Sequence, residues 1–182
     1  MSKGIITPIE EPSGVDEAFS LIEAVVEKPG DLKLEWLIKH RWAAVPSEGA
    51  MHFNEQDAQR MSDAMFWIGC FECLAVATEP LENTTLCYRV PTTKDGLLDF
   101  SWECGSFYFV LVPRNRDFAV LCTADDYYVV AGPRRFVEQA VGCELRVARE
   151  RFAKFAKDAS WPEPIRQHLL SVAKRYEAFN GE

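Results

Sequence analysis

Between Ser106 and Gly142 the chain reads SFYFVLVPRNRDFAVLCTADDYYVVAGPRRFVEQAVG. Three apolar runs, Phe107–Val112, Phe118–Thr123 and Tyr127–Ala131, are joined by two short polar turns, and a Gly-Pro step then enters a helical pattern. Connections this short join only antiparallel neighbours, so the stretch predicts a three-stranded meander. The runs do not alternate apolar with polar. A sheet with one wet face would alternate, so both faces need cover. The expected cover is N-terminal helices on one face and C-terminal helices on the other, or a partner on one of them.

The remaining patterns surround that meander. Residues 1–13 read as an extended arm, because Pro8 and Pro12 oppose a helix. Ser13–Lys28 reads as a helix with Val15, Phe19, Ile22 and Val26 on one stripe, ended by Pro29-Gly30. Asp31–His40 reads as a second short helix with Leu34, Leu37 and Ile38 inward, a strand being the alternative there, and residues 43–53 as a loop. Asn54 is a good cap for a third helix that Gly69 closes. Cys70–Ala77 and Leu86–Val90 read as strands, Thr93–Gly96 as a turn and Leu97–Trp102 as another short strand. Three helices follow: Pro133–Gly142, Glu144–Asp158 and Pro164–Phe179. The fold class is therefore α+β, a mostly antiparallel sheet of about five strands with helices packed on its faces.

At 182 residues, and with no linker or repeat, the sequence reads as one domain, 1–182. No apolar run approaches the roughly 20 residues that span a bilayer, so no membrane partner is expected. The N-terminal MSKGIITPIEEPSG has no apolar stretch of the signal-peptide kind, which makes a cytoplasmic protein the expectation. Its six cysteines then read as thiols. The net charge of −8 is unevenly spread. Residues 1–35 hold eight acids and three bases, residues 36–112 ten and five, and residues 113–182 ten and twelve. A field of that sign opposes nucleic acid and suits a basic partner.

Several residue groups could carry chemistry. Cys70-Phe71-Glu72-Cys73 is a CxxC, a spacing used for zinc and for thiol exchange. Zinc would need two more ligands, with Cys87 and Cys104 the available thiols. Read as part of a strand, Cys70 and Cys73 point to opposite faces and pack as small hydrophobes. Asp125-Asp126 sits at a hairpin tip, where aspartates bond the local backbone. His40, His52 and His168 are far apart, with no neighbour that suggests a triad. Arg134, Arg135, Arg146, Arg149, Arg151, Lys154 and Lys157 read as solvated helix faces carrying opposite-charge pairs. The acids Glu72, Glu79, Glu82, Asp95, Asp99 and Glu103, with Trp102 among them, suit docking of a basic protein by steering and anchoring.

The stretch DFAVLCTADDYYVVAGPRRFVEQAVG, strand–turn–strand and then Gly-Pro into a short helix ending in glycine, resembles the immunity proteins of bacterial polymorphic toxin systems. The resemblance runs from Phe107 to Gly142, with the charged helix after it. It implies a non-enzymatic protein that binds one cognate toxin domain and blocks it, with no catalytic residue, metal or cofactor. The first expectation is thus stoichiometric neutralisation of a toxin through the acidic surface just named. The alternatives are a thiol or zinc protein using Cys70 and Cys73, or a small hydrolase using His52 with nearby carboxylates.

Overall fold

The computed structural model describes residues 5–49, 53–79 and 85–181. Thr7–Pro8 (β1) is a short strand, and Pro12–Glu23 (α1) follows, with proline in its first turn. The predicted first helix stops short of Lys28, because Val26–Lys28 (β2) pairs instead with Asp31–Leu32 (β3) across the Pro29-Gly30 turn. Gly30 takes a φ of +83° there, which a glycine adopts without steric cost. Leu34–His40 (α2) buries Trp36 and Leu37, whereas Ile38 turns outward and is 65% exposed, against the inward placement expected of it.

Ala43–Glu48 (β4) lies where a loop was expected, paired along its whole length with the last strand of the meander. Asn54 caps Glu55–Trp67 (α3), its Oδ1 accepting from the Asp57 amide at 2.8 Å. Glu72–Ala77 (β5) and Cys87–Pro91 (β6) pair as a hairpin. The segment read as a turn and a strand is instead one helix, Lys94–Cys104 (α4), capped by Thr93. The meander is Phe109–Val112 (β7), Ala119–Cys122 (β8) and Tyr127–Gly132 (β9). Arg134–Val141 (α5) ends at Gly142, whose φ is +73°, and Leu145–Ala156 (α6) and Glu163–Tyr176 (α7) complete the order.

Among the described residues, seven strands form one antiparallel sheet in the order β1-β6-β5-β7-β8-β9-β4, and β2-β3 forms a second, small one. The meander is central in the large sheet and is apolar on both sides, as its sequence requires. Phe109, Leu111, Val120 and Val130 face a core made with α3, α4 and α5. Val110, Val112, Leu121 and Val129 face a second core made with α1, α2, α6 and α7. Each of these side chains is fully buried, a gain of about 1.5–3 kcal/mol apiece relative to exposure. The expected split of N-terminal from C-terminal helices is therefore wrong. Both ends of the chain share one face, and the middle of the chain covers the other.

Candidate functional site

Helix α4 rotates about 100° per residue. That places Asp95, Asp99, Trp102 and Glu103 within one arc of roughly 100°, opposite the buried Leu97, Phe100 and Cys104. Trp102 is 71% exposed, and no lysine or arginine lies between Asp95 and Glu103. The carboxylates are not equivalent. Asp99 Oδ2 accepts from the Ile5 and Ile6 amides, at 2.6 and 2.9 Å, and so ties the N-terminal arm to α4. Asp95 and Glu103 are exposed. Glu72 is also exposed and pairs with Pro91, whose carbonyl lies against Gly96 in the first turn of α4. Glu79 lies beyond the other end of β5 and accepts from the Tyr108 amide at 3.4 Å. Glu82 lies outside the described residues. The structure thus gathers Asp95, Asp99, Trp102 and Glu103 on one helix face, leaves Glu72 at the β5 end beside that helix's first turn, and separates Glu79.

The two cysteines of the CxxC do not point apart. Cys70 lies ahead of β5, in the turn that leaves α3, so strand alternation does not apply to it. The left-handed Gly69 (φ +75°) reverses the chain, the Cys70 amide donates to the Met65 carbonyl, and the Cys70 Sγ comes to 3.7 Å from the Cys73 Sγ. Cys70 is half-buried and Cys73 buried. A hydrogen bond from Cys73 lowers the Cys70 pKa, while burial pushes that of Cys73 well up. The thiols named for a zinc site do not join them. Cys87 belongs to the second core and Cys104 to the buried side of α4. Among the described residues no three His, Cys, Asp or Glu side chains gather as a metal would need.

The histidines divide. His52 lies outside the described residues, and His40 stacks on Trp42, with ring centres 4.4 Å apart. His168, on α7, meets the tip of the β8–β9 hairpin. Its Nε2 is 3.2 Å from the Tyr127 hydroxyl and 3.9 Å from Asp125, which itself accepts from the Tyr108 hydroxyl. Residues this distant in sequence gave no spacing from which the grouping could be read. The local turn bond is made by Thr123, whose Oγ1 accepts from the Asp125 amide at 3.2 Å, while the Asp125 carboxylate reaches away to Tyr108 instead of bonding the local backbone as expected; Asp126 takes a φ of +59°. The group knots α7 to the sheet; the one serine that joins it among the described residues, Ser171, donates its hydroxyl to the His168 carbonyl at 2.7 Å rather than to the imidazole.

A cleft of about 480 Å³ lies between α3, α6 and the end of β4. Its central charges are Asp57 and Arg60, an ion pair. Burial raises the Asp57 carboxyl pKa despite Arg60 and the Asn54 bonds. The basic C-terminal residues largely behave as their spacing suggests: Arg134 pairs with Glu138 and Arg146 with Glu150. Arg149 departs from the pattern, reaching inward to backbone carbonyls. Among the described residues no helix is long and apolar enough to cross a membrane. The chain matches no family model, no curated protein and no solved structure.

Proposed function

We propose that this chain is a non-enzymatic binding protein of the immunity type, which neutralises a cognate toxin domain in the cytoplasm by stoichiometric contact through the outer face of α4. The observation that carries this reading is the stripe of Asp95, Asp99 and Glu103 around the exposed Trp102, with no lysine or arginine in the sequence from Asp95 to Glu103. Carboxylates of one sign steer a basic domain into encounter, and a large aromatic supplies the desolvated anchor from which most interface energy comes. The resemblance of residues 107–142 to immunity proteins supports the class of partner.

The test is co-expression with a candidate toxin taken from the neighbouring gene. The expected result is that growth is restored and the two chains purify as a 1:1 complex. In that complex Trp102→Ala weakens binding about 30-fold, the loss of a hot-spot aromatic. Glu103→Lys weakens it about tenfold, and the effect shrinks as salt screens the charge. Continued killing with no complex overturns the reading. An intact complex indifferent to both substitutions overturns the choice of surface.

A further inference from the structure

We infer that Cys70 and Cys73 form a thiol–disulfide exchange site for a small disulfide of the glutathione class, with Cys70 the attacking thiol and Cys73 the resolving one. The inference is independent of the toxin-binding reading, since it uses no residue of α4. The two sulfurs stand 3.7 Å apart and the backbone around them is held on three sides. Thr92 Oγ1 donates to the Cys70 carbonyl at 2.7 Å, the Thr92 amide donates to the Phe71 carbonyl at 3.1 Å, and the Cys70 amide is fixed to Met65. Cys70 opens into a groove of about 320 Å³ lined by Phe71, Pro113, Arg114, Asn115 and Asp117. That space takes one half of a small peptide-like disulfide, the other half lying outside the groove. Cys73 is 1% exposed, so an incoming disulfide reaches only Cys70.

The chemistry follows the same asymmetry. The Cys70 thiolate, favoured by the bond from Cys73, attacks one sulfur of the small disulfide. A Cys70–S–S bond forms, the disulfide's own S–S bond breaks, and one thiolate leaves and takes up a proton. Cys73 then gives up its proton and attacks the Cys70 sulfur. The Cys70–Cys73 bond forms and the second small thiolate leaves. Two protein thiols are oxidised and one disulfide is reduced to two thiols. Location sets the bias of the couple. Oxidising CxxC pairs start a helix, where amides and the positive helix end stabilise the thiolate. This pair follows the C-terminal end of α3. The dithiol lacks that stabilisation, so the closed disulfide is the favoured form.

The experiment incubates the reduced full chain with glutathione disulfide, quenches with acid, alkylates, and maps every cysteine by peptide mass spectrometry. The expected result is a Cys70–Cys73 bridge and two glutathione thiols released per chain, while Cys87 and Cys104 stay reduced because both are buried with raised pKa values. Cys73→Ala stops at a Cys70–glutathione mixed disulfide, and its alkylation profile at Cys70 moves to higher pH. Cys70→Ala leaves Cys73 reduced over the same period. The wild-type arm decides even if a variant fails to fold. Glutathione retained on Cys70 with no bridge, or a Cys70 that reacts no faster than Cys122 and Cys143, overturns the inference.

Discussion

Arg149 shows how much one side chain can hold. Its guanidinium donates to the Phe179 carbonyl and the Asn180 side chain, both at 2.6 Å, and approaches the carbonyls of Ala44 and Tyr176. A planar fork of donors suits this better than a point charge. Arg149→Ala is expected to cost about 2 kcal/mol in a denaturant titration, because hydrogen bonds to a charged donor are lost and the carbonyls are left short of partners. Arg149→Lys recovers little of it. Sequence placed this arginine among solvated helix residues, since spacing cannot tell which long side chain folds back. The CxxC misled differently. Alternation along a strand is sound, but Cys70 stands outside the strand, and the available clue was Gly69, already read as the residue that closes the preceding helix.

At the scale of elements, legibility followed local punctuation. The meander, α3 and α5 carry their own signals in turn residues, the Asn54 cap and the closing Gly142. Helix α4 was misread because Asp95-Gly96 looks like a turn. Gly96 serves close packing instead: a Cβ there would sit 2.3 Å from the Pro91 carbonyl oxygen, so only glycine lets α4 settle on the end of β6. Strand β4 was missed because Pro46 breaks the pattern, and a proline is tolerated there only because β4 is an edge strand. Its six residue pairs with β9 are tertiary facts. Helix α7 docks on the β2–β3 hairpin through Tyr176, which is fully buried and accepts from the Leu32 amide at 3.0 Å. Burial pushes this phenol up to about 12. A pKa raised in the folded state adds stability that is complete below pH 10 and is lost as pH rises through 12. Two units correspond to about 3 kcal/mol. Tyr176→Phe therefore makes the alkaline limb of a stability-versus-pH curve shallower between 10 and 12, where the buried Tyr128 still titrates, while lowering stability at pH 7 by about 1–2 kcal/mol through the orphaned Leu32 amide. An unchanged alkaline limb would show that this phenol does not set it.

Over the whole molecule, a seven-stranded antiparallel sheet leaves two edges to protect. One is β1, only two residues long, and short edges recruit little. The other is β4, where the chain's final segment acts as a cover: the Ala44 amide donates to the Phe179 carbonyl, and Ala43 bridges Asn180. A chain ending at Ala178 is expected to associate in a concentration-dependent way, read by light scattering, because the uncovered backbone of β4 can pair with another copy. A shortened chain that stays monomeric at high concentration would assign the protection to Pro46 and α6 alone. The arrangement of the two cores has a different consequence, in the time taken to make the protein. The face covered by α3, α4 and α5, with Leu145 and Ala148 at the start of α6, is complete once Ala148 has been added. The other face is built from α1 and α2 together with α6 and α7, so it closes only after Tyr176 has been added. At about 5–20 residues per second, a nascent chain spends seconds as a sheet with one finished side. Leu121 and Val129 are among the residues that wait on the other side, and that unfinished surface is what a nascent-chain chaperone would meet.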